Sequence, residues 1–212
     1  MNILLVAGAP QESWPTIKQS FDYYVGIDRG SLLLYQNDLP VDLAVGDFDS
    51  LKESEHKQIV SIAKELLTAP AEKDDTDTQL ALAAVLEKFP HATVTLIGAT
   101  GGRIDHFLAN LWMAVETRFR PFCQNIVIKD KQNTISFLLP GKHMIKKEND
   151  KQYLSYCCLS VVYGLTLSKS KYTLDNQDVL QPTVYASNQF IEDFAEVEFK
   201  TGVIAVVQSK DQ

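Results

Sequence analysis

Two carboxylates one residue apart on an extended segment can both reach a single hard cation. Asp47-Phe48-Asp49 has that spacing, and it follows an apolar run and a glycine, Gly46, that lets backbone come close. The same residues also suit a turn in which Asp side chains hydrogen-bond their own backbone. A second acid group, Lys73-Asp74-Asp75-Thr76-Asp77, precedes a stretch of helical period. Acids there cap a helix and complement its dipole, or, if they share a sheet edge with Asp47 and Asp49, call for a divalent ion to offset their repulsion. Gly98-Ala99-Thr100-Gly101-Gly102-Arg103-Ile104-Asp105-His106 is a glycine-rich link whose free amides and helix start favour a phosphate, with Arg103 able to clamp its oxygens. His106 alone reads as a packing or capping histidine; beside Arg103 and Asp105 it also suits a nucleotide contact. The chain has neither G-x-G-x-x-G nor G-x-x-x-x-G-K-[ST], so the Rossmann dinucleotide fingerprint and the Walker P-loop are both missing.

These groups need a scaffold that brings them to one place. Up to about residue 131, short apolar runs (Ile3 to Val6, Tyr23 to Ile27, Leu43 to Val45, Glu65 to Leu67, Val94 to Ile97, Ile126 to Ile128) alternate with helical segments. The clearest of those are Thr76 to Phe89 and Asp105 to Arg118. Such alternation predicts a parallel sheet covered on both faces. In open parallel sheets the ligand lies beyond the carboxyl ends of the strands, where Asp28-Arg29-Gly30, the Asp47 motif, the Asp74 group and the glycine-rich link all fall. From Asn133 onward the runs are strand-like and broken by turns, which predicts an all-β sandwich or barrel. The expected organisation is an α/β chain: a Rossmann-like parallel-sheet domain over residues 1–131, then a smaller all-β sandwich domain over 132–212.

The 212 residues carry 20 Lys and Arg against 27 Asp and Glu, a net charge of −7. That balance argues against a protein built to hold nucleic acid through its phosphates. The apolar start, Met1 to Gly8, has no basic region before it and reads as a first strand, and no segment approaches the ~18 apolar residues of a membrane span. A cytoplasmic protein with no nucleic-acid or membrane partner is expected. Cys123, Cys157 and Cys158 form no C-x-x-C pair and read as packing thiols, which removes zinc and thiol catalysis. In the β region, Lys171-Tyr172-Thr173-Leu174-Asp175-Asn176 and Ser187-Asn188-Gln189-Phe190 read from the residues alone as turns with packed aromatics.

Taken in order along nearly the whole chain, these pieces resemble the bacterial type of thiamine pyrophosphokinase. The resemblance rests on Asp28-Arg29-Gly30, Gly46-Asp47-Phe48-Asp49-Ser50, Glu72-Lys73-Asp74-Asp75-Thr76-Asp77, Gly101-Gly102-Arg103-Ile104-Asp105-His106 with Asn110, Gly164-Leu165-Thr166, Lys171-Tyr172-x-Leu174 with Asn176, and Ser187-Asn188. It implies transfer of the pyrophosphoryl group of ATP to thiamine, giving AMP and thiamine diphosphate, in a homodimer with sites shared between subunits. It further implies Mg2+ on Asp47, Asp49 and Asp77, with Asp28 a further active-site acid. Lys73, Asp74, Thr76, Gly101, Gly102, Arg103, Asp105, His106 and Asn110 would then serve the nucleotide and its phosphates. Tyr172, Ser187 and Asn188 would serve thiamine, although Thr173 stands where the family often has proline. Two rival readings remain: a D-x-D phosphatase with Asp47 as nucleophile, and a non-catalytic nucleotide or thiamine sensor.

Overall fold

The computed structural model describes residues 1–49, 51–68 and 74–211. It divides into two compact units, one of residues 1–111 and 128–131, the other of residues 112–127 and 132–212.

In the first unit, β1 (Asn2–Val6), β2 (Tyr23–Ile27), β3 (Leu43–Gly46), β4 (Glu65–Thr68), β5 (Thr93–Ile97) and the last two residues of β6 (Ile126–Lys129) form a sheet in the order β6-β5-β1-β2-β3-β4. The pairings β1 with β2, β1 with β5, β2 with β3 and β3 with β4 are parallel. Every residue of β2 and β3 is buried, as expected of parallel strands covered on both faces. On one face Leu4, Val6, Tyr24, Ala44 and Ile97 pack with Leu32 and Leu34 of α1 (Arg29–Gln36) and Ile59 of α2 (Glu53–Ile62). The strand order reverses direction at β1, whose neighbours are β2 and β5, which makes this edge a topological switch point.

The helices start from identifiable signals. The side chain of Thr76 accepts the Gln79 N–H at 3.2 Å and Gln79 Oε1 accepts the Thr76 N–H at 2.8 Å, a capping box that opens α3 (Asp77–Lys88). The helix expected over Asp105 to Arg118 is shorter: α4 runs Ile104–Trp112, and Met113–Val115 follows as 3-10 turn. Helices α1 and α2 lie in segments whose apolar period is too short to stand out, eight and ten residues long.

The second unit holds two antiparallel sheets. One has the order β12-β9-β14-β7, from β7 (Asn133–Leu138), β9 (Tyr153–Cys158), β12 (Thr183–Asn188) and β14 (Ile204–Ser209). The other has the order β11-β10-β13-β8, from β8 (Gly141–Lys146), β10 (Val162–Ser168), β11 (Leu174–Val179) and β13 (Phe194–Phe199). Strand β9 alternates half-buried and buried residues, the signature of one face on a core. Leu154, Tyr156 and Cys158 of β9, Leu165 and Leu167 of β10, and Val197 and Phe199 of β13 share that core. Residues 159–161 separate β9 from β10, and β8 begins at Gly141 just after β7 ends. Residues 171–173 form a loop, and β11 starts at Leu174.

Candidate active site

The strand register decides which loops meet. Gly26 of β2 pairs with Val6 and with Ala44, Ile27 pairs with Val45, and Val6 pairs with Ile97. Residues following these strands therefore leave the sheet at one edge: Ala7, Asp28, Asp47 and Gly98. Asp28 sits at the head of α1 with φ of 47°, and Phe48 has φ of 58°. Both lie in the left-handed region, which costs a non-glycine residue about 1–3 kcal/mol and persists only where the surroundings impose it. For Phe48 the surroundings are plain: its ring is buried among Val6, Leu34 and Ile59 and stacks on His56 with centroids 5.4 Å apart. That anchor fixes the turn carrying Asp47 and Asp49. The Asp49 N–H donates to Asp47 Oδ1 at 3.1 Å, so the self-bonded turn forms while the second Asp47 oxygen remains for other partners.

The acids brought together are Asp28, Asp47 and Asp77. Burial, then the charge of Asp77 and a hydrogen bond shared with it, then the charge of Asp47, push Asp28 up to about 7, against a smaller downward pull from the Phe48 N–H. Asp28 Oδ1 is buried without a hydrogen-bond partner. A Cβ on Gly46, whose φ is 148°, would lie 1.8 Å from that oxygen, so glycine alone lets the carboxylate sit there. Asp49 is exposed. Among the described residues no three acid, histidine or cysteine side chains stand in ready cation-binding geometry. An orphaned carboxylate oxygen beside two further carboxylates, one of them sharing a proton, still has the donor chemistry of a hard divalent ion, which takes oxygen ligands and displaces such protons. Asp42 offers a contrast at the other edge of the sheet: more deeply buried than the half-buried Asp28, it accepts the Tyr24 N–H at 2.8 Å and a bond from Lys64 Nζ at 2.7 Å, so its charge is engaged in structure.

The glycine-rich link leaves β5 as an open loop. Gly101 has φ of 78° with open space where a side chain would be, and Gly102 is equally open. Two ties that sequence reasoning missed brace its start: Thr100 Oγ1 donates to Asp130 Oδ2 at 2.7 Å, and buried Asn110 donates from Nδ2 to the Ala99 carbonyl at 3.1 Å. Arg103 is exposed and forks onto Asp105 at 3.1 and 2.5 Å, while Asp105 also accepts the His106 N–H at 3.0 Å. The Arg103 guanidinium holds the Asp105 carboxyl below the usual carboxylate range. An incoming phosphate would compete with Asp105 for Arg103. Asp74 and His106 are exposed, and Thr76 is the α3 cap described above. Ser50, Glu72 and Lys73 lie outside the described residues.

In the sandwich unit, Tyr172 and Ser187 are exposed and Asn188 is buried. The pairing of β12 with β9 shifts between Tyr185 and Asn188, so β12 spends one extra residue there, and Ser187 takes φ of 61°. Strict alternation would place Ser187 on the core side with Tyr185; the bulge turns it outward and Asn188 inward. No run of residue types announces that exchange. The three cysteines are free thiols, each raised in pKa chiefly by burial. No helix among the described residues is long and apolar enough to cross a membrane.

Comparison with known proteins places this geometry. Residues 14–128 match the family model "Thiamin pyrophosphokinase, catalytic domain" and residues 142–204 match "Thiamin pyrophosphokinase, vitamin B1 binding domain". The chain is 37% identical to the thiamine pyrophosphokinase of Bacillus subtilis (strain 168), with 99% of each chain covered. It superposes on the crystal structure of a thiamin pyrophosphokinase family protein from Enterococcus faecalis with a TM-score of 0.97 and 55% identity over the whole of both chains. The thiamin pyrophosphokinase of Candida albicans, 17% identical with a TM-score of 0.77 over 99% of this chain and 89% of that one, shares the fold. With two family models in tandem, a full-length relative and a sheet edge that gathers Asp28, Asp47 and Asp77, the chain belongs to the thiamin pyrophosphokinase family.

Proposed function

We propose that the protein transfers the pyrophosphoryl group of ATP to thiamine, releasing AMP and thiamine diphosphate. The observation that carries this reading is the convergence of Asp28, Asp47 and Asp77, all within the catalytic-domain match, at the carboxyl edge of a parallel sheet. The oxygen donors suit Mg2+, which we assign to Asp47, Asp49 and Asp77 with Asp28 beside them. When bound, Mg2+ supplies charge neutralisation on the phosphate oxygens.

The protein's own part is positioning and charge. The open amides of Gly101 and Gly102 face the phosphates, and Arg103, with Lys73, offsets charge that builds up there. Asp74, Thr76, Asp105, His106 and Asn110 serve the nucleotide side, Asn110 by bracing the loop. The hydroxyethyl oxygen of thiamine forms a bond to the β-phosphorus while the bond from that phosphorus to the oxygen bridging the α- and β-phosphates breaks. The hydroxyl proton passes to a carboxylate of the acid cluster, and AMP departs with the bridging oxygen. Tyr172 and Ser187 present the thiamine side, with Asn188 behind them; the face of an aromatic ring suits a cationic thiazolium. We further place the protein in the cytoplasm, a reducing compartment that fits its free thiols, and read it as a homodimer with sites shared between subunits, which light scattering tests.

Incubation with ATP, Mg2+ and thiamine, followed by chromatography, tests the chemistry. Equal amounts of AMP and thiamine diphosphate, dependent on both thiamine and metal, are expected. Phosphate release without thiamine would replace the reading with a phosphatase, and binding without turnover would replace it with a sensor.

A further inference from the structure

Tyr172 is 58% exposed, yet both groups of its peptide are held from beneath by buried side chains. Asn188, 3% exposed, accepts the Tyr172 N–H at Oδ1 (2.9 Å) and donates from Nδ2 to the Tyr172 carbonyl (2.8 Å). Ser170, 2% exposed, donates its hydroxyl to the same carbonyl at 3.0 Å and accepts from Asn188 Nδ2 at 3.3 Å. The Gln189 N–H fills the remaining site on Oδ1 at 2.9 Å. A primary amide has two donors and two lone pairs, so every hydrogen-bonding position of Asn188 is taken inside the chain. A ligand touching Asn188 would have to leave a buried partner unmatched. The main chain supports the same arrangement, since Ser170 bridges to Phe190 and the Lys171 N–H donates to the Gln189 carbonyl at 2.9 Å.

We propose that Ser170 and Asn188 are positioning residues for the thiamine site: they touch no substrate and act by clamping the Tyr172 peptide so that its exposed ring is held in one orientation. This rests on Tyr172 being a thiamine contact, as proposed above. It moves Asn188 from ligand contact to support and adds Ser170, whose type and place in a loop gave no signal.

The test uses the full chain with Ser170→Ala, Asn188→Ala, Tyr172→Ala and the doubles that pair each of the first two with the third, thiamine being varied at saturating MgATP. Either single variant raises the thiamine KM about three- to tenfold, with kcat and the ATP KM within about twofold, a split that general loss of structure does not produce. Added to Tyr172→Ala, neither raises it further, because both act through Tyr172. A rise that persists undiminished on the Tyr172→Ala background shows direct contact and overturns the proposal, as does an unchanged thiamine KM in folded single variants. Hydrogen exchange at the Tyr172 amide reads the clamp without turnover: it quickens about tenfold or more in Asn188→Ala, or in Ser170→Ala where the former does not fold, and an unchanged rate overturns the clamp. A parent protein with a protected Tyr172 amide and no thiamine turnover would instead overturn the reading of the site.

Discussion

At the scale of single residues, position decides what a carboxylate does. Asp42 and Asp28 are both taken out of water, but Asp42 is matched by Tyr24 and Lys64, whereas Asp28 faces Asp77 and Asp47 with one oxygen orphaned. Asp47→Asn and Asp77→Asn each remove a charge from this cluster, and each is expected to lower kcat by about 10²-fold or more, the usual cost of removing one preorganised electrostatic group. Unfolding curves should stay close to the parent's, and near-parental turnover in either variant would remove it from the site. Asp28 also makes a pH prediction. Its native pKa of about 7 lies above the ordinary 3.8, so between those values the folded chain holds a proton that the unfolded chain has released. Stability from this group is therefore present at low pH and lost as pH rises through that window. With chelator present, Asp28→Asn should melt above the parent at pH 8 by about 2–4 °C, the equivalent of about 1 kcal/mol, with the gap closing as pH falls to 5. An equal gap at both pH values would refute the shift.

At the scale of elements, caps and braces hold the site without entering it. Thr76→Ala removes the α3 cap and should cost about 1 kcal/mol in denaturant unfolding. Asn110→Leu leaves the Ala99 carbonyl unmatched beneath the glycine-rich link and should cost about 1–3 kcal/mol, with a larger loss in ATP affinity than in thiamine affinity. If both affinities fall alike, the brace is not local. Long periodic helices such as α3 and buried runs such as β1 and β2 were legible in the sequence because their patterns exceed chance over many residues. Shorter α1 and α2, the 3-10 end of α4 and the start of β8 were not, since tertiary contacts rather than local period define them. The bulge at Ser187 was hidden for a related reason: one extra residue inverts every facing assignment after it, and nothing in Ala186-Ser187-Asn188 marks where it falls.

At the scale of the molecule, each of the two units can be read by itself: a parallel sheet whose carboxyl edge gathers acids, and an antiparallel sandwich with an aromatic presented on a clamped loop. If the metal-nucleotide reading holds, MgATP at about 100 times its Kd should add about 2.7 kcal/mol of stability, a rise of about 5–10 °C in Tm for a chain of this size. Chelator should abolish most of the rise, and an equal shift with ATP alone would detach the nucleotide from the metal. The fold class, the family resemblance and the loops that carry the acid and glycine motifs are readable from the chain alone, because strand and helix periods and ordered motifs are local properties. Which acids meet is fixed by long-range contacts in the folded chain. The fold puts Asp28 with Asp77 and Asp47, leaves Asp49 outward, commits Arg103 to Asp105, and turns Asn188 inward beneath Tyr172. Those outcomes depend on strand register, on one bulge and on a strained turn anchored by the buried ring of Phe48, and each arises from contacts between residues far apart in the chain.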